Sequence, residues 1–191
     1  MEIKPLFICP IFIQHCNFDL KSIQKECILK LKKDKGVIKS NVGGWQSNSL
    51  FNERNLIFSN LISNIEISAL EFAKQLQIDT NLKVQSFWIN INKFKDYNQY
   101  HTHPKSIFSG VYYIKVPKNS GCIEFKNPNC LSIENNWDNI AKEPNPVNSY
   151  SYKINPVENQ LLLFPSWLEH QVLPNLNHKK RISLSFNITK K

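Results

Sequence analysis

Tyr97-Asn98-Gln99-Tyr100-His101-Thr102-His103-Pro104, with the run Ser109-Gly110-Val111-Tyr112-Tyr113-Ile114 behind it, sets the reading of this chain. Two histidines stand two residues apart, just ahead of a stretch rich in β-branched and aromatic residues. Side chains at i and i+2 of a strand point to one face, so His101 and His103 can converge on a single point. A third histidine, His170, follows the apolar run Leu161-Leu162-Leu163-Phe164-Pro165, and Arg181 comes eleven residues after it. His15 and His178 lack such company, and His178 falls in a polar stretch beside lysines.

The clearest alternation lies on two flanking segments. In Val84–Asn92, Ser86, Trp88, Asn90 and Asn92 share one face, while Phe87, Ile89 and Ile91 share the other. In the segment opening at Arg181, Arg181, Ser183, Ser185 and Asn187 oppose Ile182, Leu184, Phe186 and Ile188. With the apolar faces packed on helices, the polar faces look into a barrel. Two such strands fit a ligand-holding lumen, although a sheet with one face in solvent gives the same pattern. Further strands are expected at 109–116, 121–126, 150–154, 159–164 and 169–173. Between them, 127–149 carries proline, asparagine and a lone Trp137 with little periodicity, which reads as an insert able to serve as a lid.

The N-terminal part has a different rhythm. Residues 5–15 read as an opening strand broken by Pro10, which suits an edge. Residues 18–34 keep helical spacing through Leu20, Ile23, Cys27 and Leu31, with Asn17 or Asp19 as a cap and Gly36 as a stop. Residues 40–54 form a loop with a glycine pair, which lacks the lysine of a phosphate-cradling loop and is expected to be a turn with Trp45 over the core. A second helix is expected over 56–77, with Ile62, Ile65, Ala69, Ala73 and Leu76 on one face. The expected fold is α+β in one domain, 1–191: mainly helical support in 1–80 and an antiparallel barrel or jelly roll over 82–188.

Composition narrows the class. At 191 residues the chain can bury a sizeable core, and no apolar run approaches the roughly 20 residues that span a bilayer. The segment Leu6–Ile13 lacks the basic region and cleavage site of a signal peptide. Five cysteines without a CxxC pair suit a reducing compartment, so a cytoplasmic location is expected. The net charge of +9 invites a nucleic-acid reading. The charge is diffuse, however: residues 1–83 hold 11 Lys/Arg against 8 Asp/Glu, and 84–191 hold 13 against 7. Five of those 13 crowd the last thirteen residues, so a dedicated polynucleotide surface is not favoured.

Neutral imidazole is a borderline ligand for iron, zinc, nickel or copper, and His-x-His with a distant third histidine is a spacing that barrels use for metals. Here the sequence resembles a family, the Fe(II)- and 2-oxoglutarate-dependent oxygenases of the double-stranded β-helix (jelly-roll) fold, closest to a small prolyl-hydroxylase-like branch. The resemblance rests on Gly44-Trp45-Gln46-Ser47, Asn98 to Pro104, Ser109 to Tyr113, Gly121 to Pro128, Leu162 to His170 and Arg181 to Asn187. It implies that His101 and His170 are the first and distal ligands of Fe(II). The superfamily's middle ligand is a carboxylate, and this chain has His103 there. Either His103 completes a three-histidine site, leaving the metal its full +2 charge, or an oxygen ligand such as water replaces it.

The resemblance further implies that Arg181 holds the distal carboxylate of 2-oxoglutarate, with Ser183 as an added donor. Tyr113, Asn90 and Asn98 are candidate donors within the lumen, Tyr113 equally serving as wall. The implied reaction converts 2-oxoglutarate and O2 to succinate and CO2 while hydroxylating a C–H bond of a protein side chain or small metabolite. A homodimer is compatible with this reading. Two alternatives remain at this level: a cupin-like three-histidine dioxygenase or isomerase without 2-oxoglutarate, and a non-catalytic module that binds a ligand or nucleic acid.

Overall fold

The computed structural model describes residues 2, 4, 6–53, 55–130, 140, 142–143 and 145–191. Its elements run β1 (Phe12–His15), α1 (Leu20–Lys33), β2 (Asn41–Val42), β3 (Trp45–Gln46), α2 (Leu56–Gln75), β4 (Leu82–Asn92), β5 (Tyr97–His101) and β6 (Phe108–Lys115). They continue with β7 (Ile123–Lys126), β8 (Ser151–Ile154), β9 (Gln160–Pro165), β10 (His170–Val172) and β11 (Arg181–Lys190). Two antiparallel sheets result, one in the order β1-β9-β6-β11-β4-β3 and the other β2-β5-β10-β7-β8. This is the expected jelly roll with N-terminal helices.

Both helices start where the sequence supplies a cap. The Asp19 carboxylate accepts from the Lys21 and Ser22 N–H groups, and the Asn55 side chain accepts from Ile57 and Phe58. The buried stripe of α2 is Phe58, Leu61, Ile65, Ala69 and Phe72, a small rotation from the expected face. The two phenylalanines set it, packing on Phe87 and on Phe12 and Phe108 respectively. At 20 residues α2 is long and apolar enough to cross a membrane by length and composition, where the sequence reading allowed no such run. Its buried stripe is already taken up by the six-stranded sheet.

The alternation in β4 and β11 is realised. Phe87, Ile89 and Ile91 join Ile182, Leu184, Phe186 and Ile188 in one core with the helices, all at 0–1% exposure. Burying each contributes about 1.5–3 kcal/mol relative to leaving it in water. The opposite faces turn toward the second sheet, where a smaller apolar cluster includes Val111, Tyr113, Ile123, Phe125, Leu162 and Phe164.

Three expectations change. The 40–54 loop contains β2 and β3, and Gly43 and Gly44, at φ +72° and +29°, carry the chain from one sheet to the other. A Cβ at Gly43 would lie 2.1 Å from Asp96 Oδ1, so glycine is needed there on both counts. Second, α1 ends at Lys33 with Asp34 as its C-cap, two residues before Gly36. Third, β5 stops at His101, so His103 is not a strand residue. Pro104 has no N–H to give a ladder, and the chain turns there. The expected lid over 127–149 includes residues 131–139, 141 and 144, which lie outside the described residues.

Gly110 offers a test of the packing. It lies on β6 opposite Phe186 of β11 and Leu163 of β9. A Cβ there would meet the Leu162 carbonyl oxygen and the Phe186 ring at 2.4 Å each. Gly110→Ala is expected to cost about 1–3 kcal/mol by overpacking, read as a lower denaturant midpoint at unchanged slope.

Candidate active site

His101 closes β5 and His170 opens β10, and the two are directly paired across the second sheet. His103 lies beyond the end of β5, held by its backbone N–H on the Ser166 carbonyl at 2.9 Å. Ring centroids are 4.4 Å apart for His101 and His170, 4.9 Å for His101 and His103, and 5.2 Å for His103 and His170. One nitrogen from each ring lies within 4.8 Å of the others. The three histidines therefore converge as expected, though a turn rather than strand periodicity brings His103 in.

Their tautomers are set by backbone carbonyls, which can only accept. His101 Nδ1 meets the Gln99 oxygen at 2.7 Å and His170 Nδ1 meets the Leu168 oxygen at 2.9 Å. Each Nδ1 thus carries the proton and each Nε2 keeps its lone pair. Burial pushes His103 down to about 4 and His170 to about 3, and repulsion from His101 adds to both. Burial also lowers His101, partly opposed by the Gln99 carbonyl. At neutral pH all three are neutral, the form that binds metal. Among the described residues this cluster contains no carboxylate.

Arg181, the first residue of β11, is 2% exposed. Its Nη1 donates to the Ser120 and Gly121 carbonyls at 2.7 and 3.1 Å, and among the described residues it forms no ion pair. Burial lowers its pKa to about 10, which leaves it charged at neutral pH. A buried cation answered by backbone dipoles and, without direct contact, by the Asp96 carboxylate is costly and attracts an anion. Beside it, Ser120 Oγ and Asn92 Oδ1 are buried without hydrogen-bond partners.

Ser183 pairs with Asn90 on one side and Tyr113 on the other, so the three side chains form a row above Arg181. Asn90 Nδ2 donates to Ser185 Oγ at 2.9 Å. Burial raises the Tyr113 phenol, which stays protonated and can donate. Asn98, on the facing sheet, donates to Ser40 Oγ at 3.2 Å. All eight candidate residues line one cavity. His15 ends β1, and His178 stacks on Phe94 at 4.5 Å; neither joins the cluster.

The sequence reading missed the apolar wall of this cavity, Val111, Ile123, Phe164 and Val172, and its polar members Ser40 and Gln46, while Ser185 lies on the lumen face that alternation gave it. Alternation held the signal for Val111 as well, which shares a face with Tyr113. No periodic signal existed for Ser40 and Gln46, which the crossing between sheets brings in. Phe164 stands edge-on to His170 at 4.7 Å and Trp88 lies 5.9 Å from His103, fencing the rings from water.

A jelly roll with neutral imidazoles converging on one point and an arginine in the same cavity fits a non-haem metal enzyme. Residues 86–187, more than half of the chain, match the family described as "Putative 2OG-Fe(II) oxygenase", and the chain belongs to that family. It is an Fe(II)- and 2-oxoglutarate-dependent dioxygenase that uses O2 and acts on a further substrate. The 2-oxoglutarate-free and non-catalytic alternatives fall away.

Solved structures share the fold. A prolyl-4-hydroxylase from Pseudomonas putida is similar over 95% of this chain and 92% of its own, with TM-score 0.67 and 12% identity. The viral collagen prolyl hydroxylase vCPH from Paramecium Bursaria Chlorella virus-1, in its 2OG complex, is similar over 93% of this chain and 94% of its own, with TM-score 0.60 and 16% identity. HygX from Streptomyces hygroscopicus, with nickel and 2-oxoglutarate bound, is similar over 95% and 83%, with TM-score 0.64 and 10% identity. No curated protein matches the sequence.

Proposed function

We propose that the enzyme hydroxylates a C–H bond of a small molecule or protein side chain, with His101, His103 and His170 as iron ligands. Arg181 and Ser183 would take the distal carboxylate of 2-oxoglutarate. One observation carries this reading: a buried guanidinium that forms no ion pair among the described residues shares a cavity with three neutral imidazoles. Both halves of the donor set fit their groups. Three neutral imidazoles, each with one ring-nitrogen lone pair, suit a divalent transition metal, and a planar guanidinium suits a carboxylate.

Iron with 2-oxoglutarate and O2 supplies the oxidising chemistry, in which the oxo acid becomes succinate and CO2. The chain's own groups do the positioning. The Gln99 and Leu168 carbonyls fix the imidazole tautomers, so no proton has to leave a ligand when metal binds. Arg181 and Ser183 orient the co-substrate from below, and the Tyr113 hydroxyl and Asn90 amide are placed to hydrogen-bond its flanks. Phe164, Val111 and Val172 exclude water from the reacting end. His103 replaces an anionic ligand with a neutral one, so the site keeps one more unit of positive charge than a carboxylate site would. We place the enzyme in the cytoplasm, a reading its five free thiols support.

The test is uncoupled turnover. Purified protein with Fe(II), 2-oxoglutarate and ascorbate in air is expected to release succinate above the protein-free background, and to stop when O2 is removed. Absence of succinate from metal-loaded protein would overturn the assignment of these residues.

A further inference from the structure

The register of β4 against β11 rules the cavity floor into four rows: Arg181 with Asn92, Ser183 with Asn90, Ser185 with Trp88, and Asn187 with Ser86. Successive rows lie about 7 Å apart, since a strand rises about 3.4 Å per residue. Arg181 marks one end. The histidine cluster faces the third row, where Trp88 meets His103. The fourth row lies beyond the cluster, about 20 Å from Arg181.

A second cavity, of about 150 Å³, opens on that fourth row. It shares Gln46 and Trp88 with the first, so the two adjoin across Trp88, whose ring lies 5.9 Å from that of His103. Its rim comprises Lys39, Asn48, Ser86 and Asn187. A void of about this size in a protein interior accommodates benzene, so a ligand of amino-acid size fits.

Its unspent polar groups are mostly donors. Asn187 Oδ1 already accepts from Ser109 Oγ at 2.8 Å, which leaves its amide N–H groups to face the groove. Ser47 Oγ is engaged by the Asn48 carbonyl and the Ile89 N–H, and Ser49 Oγ by the Phe51 and Phe87 N–H groups. Among the described residues the Lys39 ammonium forms no ion pair, and Trp88 and Ser86 line the groove beside it. Gln46 adds an amide of both characters. No carboxylate lines the groove among the described residues; the nearby Asp34 carboxylate is held by the Gly36 N–H at 2.8 Å and by Asn48.

We propose that this groove is the primary-substrate site and that it selects a small, acceptor-rich anion of amino-acid size, its carboxylate or phosphate on Lys39 and its reacting carbon turned toward the histidines. Asn187 and Ser86 would hold the polar body of the substrate, and Trp88 would supply the apolar wall beside the C–H bond. The proposal rests on the oxygenase reading of the adjoining site. Lys39 is a positioning residue that sets charge preference, remote from the 2-oxoglutarate anchor.

The test titrates protein loaded with Mn(II) and 2-oxoglutarate, which does not turn over, with L-aspartate, O-phospho-L-serine, L-asparagine and L-lysine, using calorimetry. The anionic probes should bind at least about tenfold more tightly than L-asparagine, and L-lysine should not bind. The stronger of L-aspartate and O-phospho-L-serine identifies the anion. Lys39→Ala should erase the preference and Lys39→Arg should keep it, with 2-oxoglutarate affinity unchanged in both. Equal binding of all probes, no binding by any of them to protein that does take up 2-oxoglutarate, or an unaltered preference in Lys39→Ala would overturn the groove assignment alone. Failure to take up 2-oxoglutarate would overturn the oxygenase reading of the site and the groove with it.

Discussion

His170→Ala is expected to abolish divalent-metal binding, with affinity for Mn(II) or Co(II) falling by well over 100-fold. Losing only a hydrogen-bond partner of a metal-bound histidine typically costs 10–100-fold, and here a ligand itself is lost. No neighbour can substitute, because Phe125 and Phe164 flank His170 and the cluster has no carboxylate among the described residues. His101→Ala should behave alike, since its ring faces His170 directly across the ladder. The instructive variant is His103→Asp. It keeps three ligands and lowers the net charge of the loaded site from +2 to +1, so it should retain metal and shift preference toward harder cations such as Mn(II). Metal titrations with a denaturation midpoint for each variant separate ligand loss from unfolding. Undiminished metal binding by His170→Ala would falsify the three-histidine centre.

How far the sequence carried this reading depends on the length of each periodic signal. β4 and β11 are 11 and 10 residues long, enough for alternation to assign both faces and to turn Arg181 inward before any coordinates. The helices were legible from 3.6-residue spacing, with Asp19 as one of two caps offered for the first, whereas the Asn55 cap of the second was not read. β2 and β3, two residues each, carry no period, so neither the crossing at Gly43–Gly44 nor the arrival of Ser40 and Gln46 in the cavity was visible. The pairing of His101 with His170 is a long-range event that spacing cannot specify. His103 was found for an incomplete reason: the i, i+2 argument assumes a continuous strand, whereas the Ser166 carbonyl and the turn at Pro104 direct that ring. The acceptors of Arg181 are backbone carbonyls at 120 and 121, which no side-chain pattern marks.

Arg181 gives the second large effect, in which ligand affinity and apoprotein stability should move in opposite directions. Arg181→Ala is expected to weaken 2-oxoglutarate binding to the Mn(II)-loaded protein by at least about 100-fold, which is about 2.8 kcal/mol at 1.4 kcal/mol per tenfold. A charged, forked hydrogen bond to a carboxylate in a buried site is worth that much or more. Arg181→Lys keeps the charge and loses the fork, so its loss should be intermediate, with metal affinity unchanged in both. Stability should respond the other way. Without co-substrate the guanidinium is 2% exposed, bonded to the Ser120 and Gly121 carbonyls and helped at longer range by Asp96, with no ion pair among the described residues, which leaves a buried charge only partly compensated. Arg181→Met fills similar space without that charge, so the apoprotein should unfold at a higher temperature than wild type. Adding 2-oxoglutarate with metal should then raise the wild-type midpoint and leave Arg181→Met where it was. A 2-oxoglutarate-dependent rise in Arg181→Met equal to that of wild type would mean that the co-substrate is held elsewhere.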